Sequence, residues 1–101
     1  MGWAQGHIAK LLEGETVRFR PRGHSMTGKV NNGELVTVEP ITGDTSLEAG
    51  DIVLCKVKAA EYLHLIKQVT LDSYLIGNNR GRTNGWVRRN KIYGKCVKVE
   101  P

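Results

Sequence analysis

Two cysteines in 101 residues, Cys55 and Cys96, are too few and too widely spaced to build a metal cluster. Each lies in a strand-like run, where a buried cysteine behaves as a small hydrophobe, and whether their Cα atoms come within disulfide reach is not fixed by sequence. Long apolar runs are also missing. The longest span only a few residues, against the roughly 20 that a transmembrane helix needs, so no membrane-spanning segment is expected. Residues 1–12 mix Trp3, Ile8, Leu11 and Leu12 with Gln5, His7 and Lys10, which argues against a signal peptide. No repeat, linker or low-complexity tract divides the chain. A cytoplasmic protein of one domain is the expectation.

What is present fits a globular protein: 40% apolar and 25% charged residues. At this length a core can form without disulfides. The expected organisation is a single domain over 1–101, with an N-terminal helix in 1–15 and a β core in 16–101. Trp3, His7, Ile8, Leu11 and Leu12 recur at helical spacing, and Gly14 stops the pattern. Beyond it, Thr16 to Arg20, Glu34 to Glu39, Asp51 to Val57, Tyr62 to Thr70, Tyr74 to Ile76 and Lys91 to Val99 read as strands between glycine, asparagine and proline turns. Six strands and one helix predict a mainly β fold, a small coiled and barrel-like sheet.

Two features carry chemistry. Gly23-His24-Ser25-Met26 places a serine in a glycine-led turn, and Lys67 stands inside the apolar run Tyr62 to Val69. Strict alternation puts Leu63, Leu65, Lys67 and Val69 on one face, so Lys67 is expected among buried residues. Burial lowers a lysine pKa because the ammonium loses hydration, and a neutral amine can take the proton of a serine hydroxyl. His64, three residues before Lys67, falls on the opposite face by the same alternation and is expected outside this dyad. His24 points away from its neighbour Ser25 on extended chain, as a rim or substrate contact.

The order of the surrounding segments resembles the superfamily of type I signal peptidases and LexA-type repressor peptidases. Gly23-His24-Ser25-Met26 followed by Asn32 to Val38 is similar to its nucleophile block, and Gly50-Asp51-Ile52-Val53 to the next. His64 to Val69 is similar to the segment that bears the catalytic lysine. Gly77-Asn78-Asn79-Arg80 resembles the "G-D-N-R" block, and Gly85-Trp86-Val87 with Ile92-Tyr93-Gly94-Lys95 the closing one. The resemblance spans about Gly23 to Val99. It implies a peptidase fold of that type without a membrane anchor, and a Ser-Lys serine endopeptidase. Ser25 would be the nucleophile, Lys67 the general base, and Gly23, Ser25 and Met26 the turn that supplies backbone oxyanion donors. Asn79 and Arg80 would be accessory, and Thr83 would stand in for a hydroxyl that orients the lysine. No cofactor or metal is implied. The substrate is a peptide or protein segment, added as a strand along a sheet edge.

The charge offers a rival. Fifteen Lys and Arg against ten Asp and Glu give +5, and Arg80, Arg82, Arg88, Arg89, Lys91, Lys95 and Lys98 crowd the last quarter near Trp86 and Tyr93. Cations beside aromatic rings are what nucleic acid needs. A solvated basic face is favoured over that site, since no nucleic-acid motif accompanies it. The alternative to an enzyme is therefore an inactive relative that binds peptide or nucleic acid.

Overall fold

The computed structural model describes residues 2–101. The helix α1 spans Gln5–Leu12, and the strands are β1 Val17–Phe19, β2 Leu35–Pro40, β3 Ile52–Val57, β4 Ala60–Val69, β5 Tyr74–Gly77, β6 Thr83–Val87 and β7 Ile92–Glu100. A single 3-10 turn, Arg89–Lys91, precedes β7. All strand pairs are antiparallel, in the order β1-β2-β7-β3-β4-β5-β6. The mainly β expectation holds. The sheet is open, with β1 and β6 at its edges, but it coils enough to bring β6 across β3: a Cβ on Gly85 would lie 3.2 Å from Val57 Cγ1.

Seven strands replace the six expected. The extra one is β6, whose sequence Thr83-Asn84-Gly85-Trp86-Val87 contains an Asn-Gly pair that reads as a turn. Here Gly85 instead takes a φ of +144° within the strand, a conformation open to a residue without Cβ. The β3–β4 hairpin shows the converse. Its two-residue turn is Lys58-Ala59, both at positive φ (51° and 71°), where Asn-Gly would be the relaxed choice.

Alternation along the strands divides the interior in two. Leu54 from β3 and Leu63 and Leu65 from β4 join Val36, Val38, Met26 and the helix residues Ile8 and Leu11 on one side. Val53, Cys55, Ile66, Ile76, Val87 and Ile92 pack on the other. The helix buries Ile8 and Leu11 alone of its expected apolar face, leaving Trp3 and Leu12 largely exposed. Ala4 has no side-chain oxygen to cap α1, and the Glu61 carboxylate of β4 accepts its N–H at 2.6 Å instead. A carboxylate there also faces the positive end of the helix dipole. Both cysteines are free thiols, and burial pushes that of Cys55 up to about 12, leaving it an inert core residue. Among the described residues no helix is long and apolar enough to cross a membrane.

Candidate functional site

Ser25 lies on the loop between β1 and β2, where residues 25–29 form hydrogen-bonded turns. Two anchors fix it. Met26 is buried in the core beside the helix, and Val30 N–H closes the turn on Met26 O at 2.8 Å. Hydrophobic anchoring of one residue leaves its neighbour Ser25 exposed at the surface. From the other side, the β5–β6 connection grips the same loop: Asn79 N–H donates to Ser25 O at 2.9 Å, and Asn79 Nδ2 to Thr27 O at 2.8 Å. Asn78 folds that connection, its Oδ1 accepting the N–H groups of Arg80 and Arg82, each at 2.9 Å. The resemblance block at Gly77 to Arg80 is therefore a brace for the serine loop.

The side chain facing Ser25 is His64. Its Nε2 lies 3.2 Å from Ser25 Oγ, and its Nδ1 lies 2.8 Å from Asn84 Oδ1. An amide oxygen can only accept, so Nδ1 carries the ring proton and Nε2 presents its lone pair to the serine hydroxyl. Asn84 has no counterpart among the expected site residues. His64 is 7% exposed and its ring packs against that of Tyr62, with centroids 4.8 Å apart. Burial holds the imidazole below its usual value; the Asn84 hydrogen bond opposes this, and the nearby Lys67 charge adds to the lowering. A neutral base at neutral pH follows.

Lys67 does lie in a strand, but Ser25 Oγ has His64, not Lys67, as its hydrogen-bond partner. The expected face of Leu63, Leu65, Lys67 and Val69 is broken. Pairing with β5 slips between Ile66 and Gln68, so Lys67 is the extra residue of a β-bulge, and Val69 beyond it is 43% exposed. The Lys67 stem instead runs over Gly77, where an added Cβ would sit 2.9 Å from its Cε. Up to the bulge alternation holds: Leu63 and Leu65 go inward, and His64 on the opposite face is the side that meets Ser25.

The remaining expectations divide. Ser25 and Met26 N–H donate to no group among the described residues and are free for an oxyanion, whereas Gly23 N–H is taken by Asn32 Oδ1 at 2.8 Å. His24 contributes its carbonyl, which accepts the Thr27 hydroxyl at 2.8 Å, and its ring has no hydrogen-bond partner among the described residues. Arg80 and Thr83 are exposed, and neither side chain bonds to the site. The orienting group is Asn84, one residue on from Thr83, and it acts on a histidine rather than a lysine.

A cleft of about 430 Å³ runs past the site. Ser25, His64 and Asn84 stand along it with Tyr62, Met26 and Val30 as apolar wall, and Trp3 at its rim donates its indole N–H to Glu61 O at 3.2 Å. Lys67 does not line it. No group of three or more His, Cys, Asp and Glu side chains is gathered for a metal ion among the described residues. A comparison with models of known protein families finds no match, and neither does a comparison with curated proteins.

Proposed function

We propose that the chain is a serine hydrolase acting on peptide bonds, with Ser25 as nucleophile, His64 as general base and Asn84 as the residue that orients it. The observation that carries this reading is the chain of contacts from Ser25 Oγ through His64 to Asn84. It is the nucleophile, base and orienting group arrangement in which serine chemistry recurs on unrelated folds. Ser25 Oγ attacks the scissile carbonyl carbon while its proton passes to His64 Nε2. The tetrahedral oxyanion is met by the Ser25 and Met26 N–H groups. Collapse breaks the C–N bond, and Nε2 returns the proton to the leaving amine. Water then repeats the sequence on the acyl-enzyme, releasing the acid and restoring the serine hydroxyl. The open cleft suits an extended segment rather than a compact small molecule, and the resemblance of the ordered segments to signal and repressor peptidases favours an amide as substrate.

A fluorophosphonate probe, which labels only an activated serine, tests the assignment. Ser25 is expected to be labelled in the parent and in Lys67→Met, and not in His64→Ala. Labelling that survives His64→Ala but is lost in Lys67→Met would replace this reading by the Ser-Lys dyad. No labelling of any variant would leave a peptide-binding relative without turnover.

A further inference from the structure

The basic segment from Arg80 to Lys98 does not form one surface. Arg82 lines the catalytic cleft. Arg89 Nη2 donates to Thr42 O at 2.8 Å and Thr45 O at 2.7 Å. Lys95 Nζ is held by Ser46 O at 2.9 Å and Asp51 at 3.4 Å, and Lys98 pairs with Glu100 at 3.7 Å. Tyr93 packs against the core. Of the three that remain, Arg80 is exposed on the β5–β6 connection, while Arg88 and Lys91 are joined by Lys56 and Lys58 from the β3–β4 hairpin around a shallow hollow of about 600 Å³.

Two properties of this hollow point to one class of ligand. Four cations line it and no carboxylate does. Lys56, Lys58 and Lys91 make no ion pair among the described residues, and Arg88 has only an exposed contact of 3.7 Å with Asp72. Such an exposed pair offers little resistance to a competing anion. Second, Trp86 on the edge strand β6 also lines the hollow, with 48% of its surface exposed, so an aromatic face is left uncovered among the cations.

We infer that this hollow binds a nucleobase together with its phosphates, in single-stranded nucleic acid, with Trp86 stacking on a base and Lys56, Lys58, Arg88 and Lys91 neutralising the backbone. Cations alone would suit any polyanion; the exposed indole among them selects a ligand with a flat π face, because base stacking adds to phosphate contact. The site is separate from Ser25 and does not rest on the proposed hydrolysis.

Fluorescence anisotropy of a labelled twelve-nucleotide oligothymidylate, titrated with the full chain across a salt series, tests it. Affinity is expected to fall with log salt at a slope of about −3, the value for roughly four phosphates on a single strand. Trp86→Ala should weaken binding by about tenfold, the scale of one lost base stack. Lys56→Ala plus Lys58→Ala should reduce the slope by about 1.4, whereas Lys10→Ala plus Lys98→Ala, which removes the same charge elsewhere, should leave it within roughly 0.3. Competition by ATP as strong as by the oligomer would place the same recognition on a free nucleotide, and weaker competition on a strand. Equal competition by poly-glutamate, or no effect of Trp86→Ala in a variant that keeps its circular dichroism and melting temperature, would overturn the inference.

Discussion

Asn84 Oδ1 stands 2.8 Å from His64 Nδ1 although the two residues belong to strands that are not neighbours. β5 lies between β4 and β6, and two strand spacings amount to about 9.5 Å. The side chains can meet because pairing of β6 with β5 slips between Ile76 and Gly77 and leaves Asn84 as the extra residue of a bulge, and because Asn78, which follows β5, has its amide oxygen engaged by Arg80 and Arg82. Asn84→Ala removes the acceptor that fixes the tautomer of His64. It should lower kcat by about tenfold to a hundredfold, part of the 10²–10⁴ that a general base contributes, with KM little changed. Asn84→Asp should restore much of the rate while raising the imidazole pKa, because a carboxylate favours the imidazolium. The pH profile of that variant separates orientation from mere packing.

The parent profile has a sign set by the environment of His64. Burial pulls the imidazole below 6.5, the Lys67 charge adds to it, and Asn84 opposes it. A base must be unprotonated, so kcat/KM should rise with pH through that lowered value and be flat near neutrality. Lys67→Met should shift the rising limb to higher pH and retain turnover; abolished turnover would restore Lys67 as the base. The same group affects stability. Between 6.5 and the lowered folded value the unfolded chain binds more protons, so its contribution to stability falls as pH drops through that window and levels off below it. Urea titrations of the parent and His64→Gln at several pH values would measure the difference.

Alternation and turn residues made most of the sheet legible, because β2, β3 and β4 each set apolar side chains on a buried face. The exposed turn that carries Ser25 was legible for a related reason: a glycine-led turn followed by one apolar anchor is a local pattern. The partner of Ser25 was not. Choosing between His64 and Lys67 required knowing where strict alternation stops, and the bulge at Lys67 is set by pairing with β5, not by any residue in β4. Asn84 was hidden more completely. Asn-Gly favours a tight turn, whereas here β6 pairs with β5 on either side of Asn84 and leaves it as the extra residue of a bulge. Likewise the seven basic residues that crowd one stretch of sequence are scattered by the fold, while Lys56 and Lys58 join two of them from thirty residues away.

Thr37 gives a test of packing away from the cleft. Its Oγ1 is the one buried side-chain oxygen or nitrogen without a hydrogen-bond partner among the described residues, on an interior strand where pairing with β7 slips between Thr37 and Val38 and leaves Val97 as the extra residue. An unsatisfied buried hydroxyl costs about 1–3 kcal/mol. Thr37→Val keeps the β-branched shape and removes the hydroxyl, so it should stabilise by about 1 kcal/mol, read as a higher urea midpoint at unchanged slope. Thr37→Ser keeps the hydroxyl and loses the methyl, and should destabilise.

Gly77 couples the fold to the site most directly. An added Cβ there would meet Arg82 O at 2.5 Å and Lys67 Cε at 2.9 Å. The lysine stem can swing aside, but Arg82 O accepts the Asn78 N–H at 2.9 Å and belongs to the connection that grips Ser25 and leads into Asn84. Gly77→Ala should therefore push on that connection, costing about 1–3 kcal/mol of stability as overpacking does and lowering kcat through a displaced serine loop and histidine partner. The double variant Gly77→Ala, Lys67→Ala separates the two contacts. If the carbonyl is the obstacle, removing the lysine stem recovers neither the urea midpoint nor kcat. Recovery of both would assign the clash to Lys67 and leave the connection free of strain.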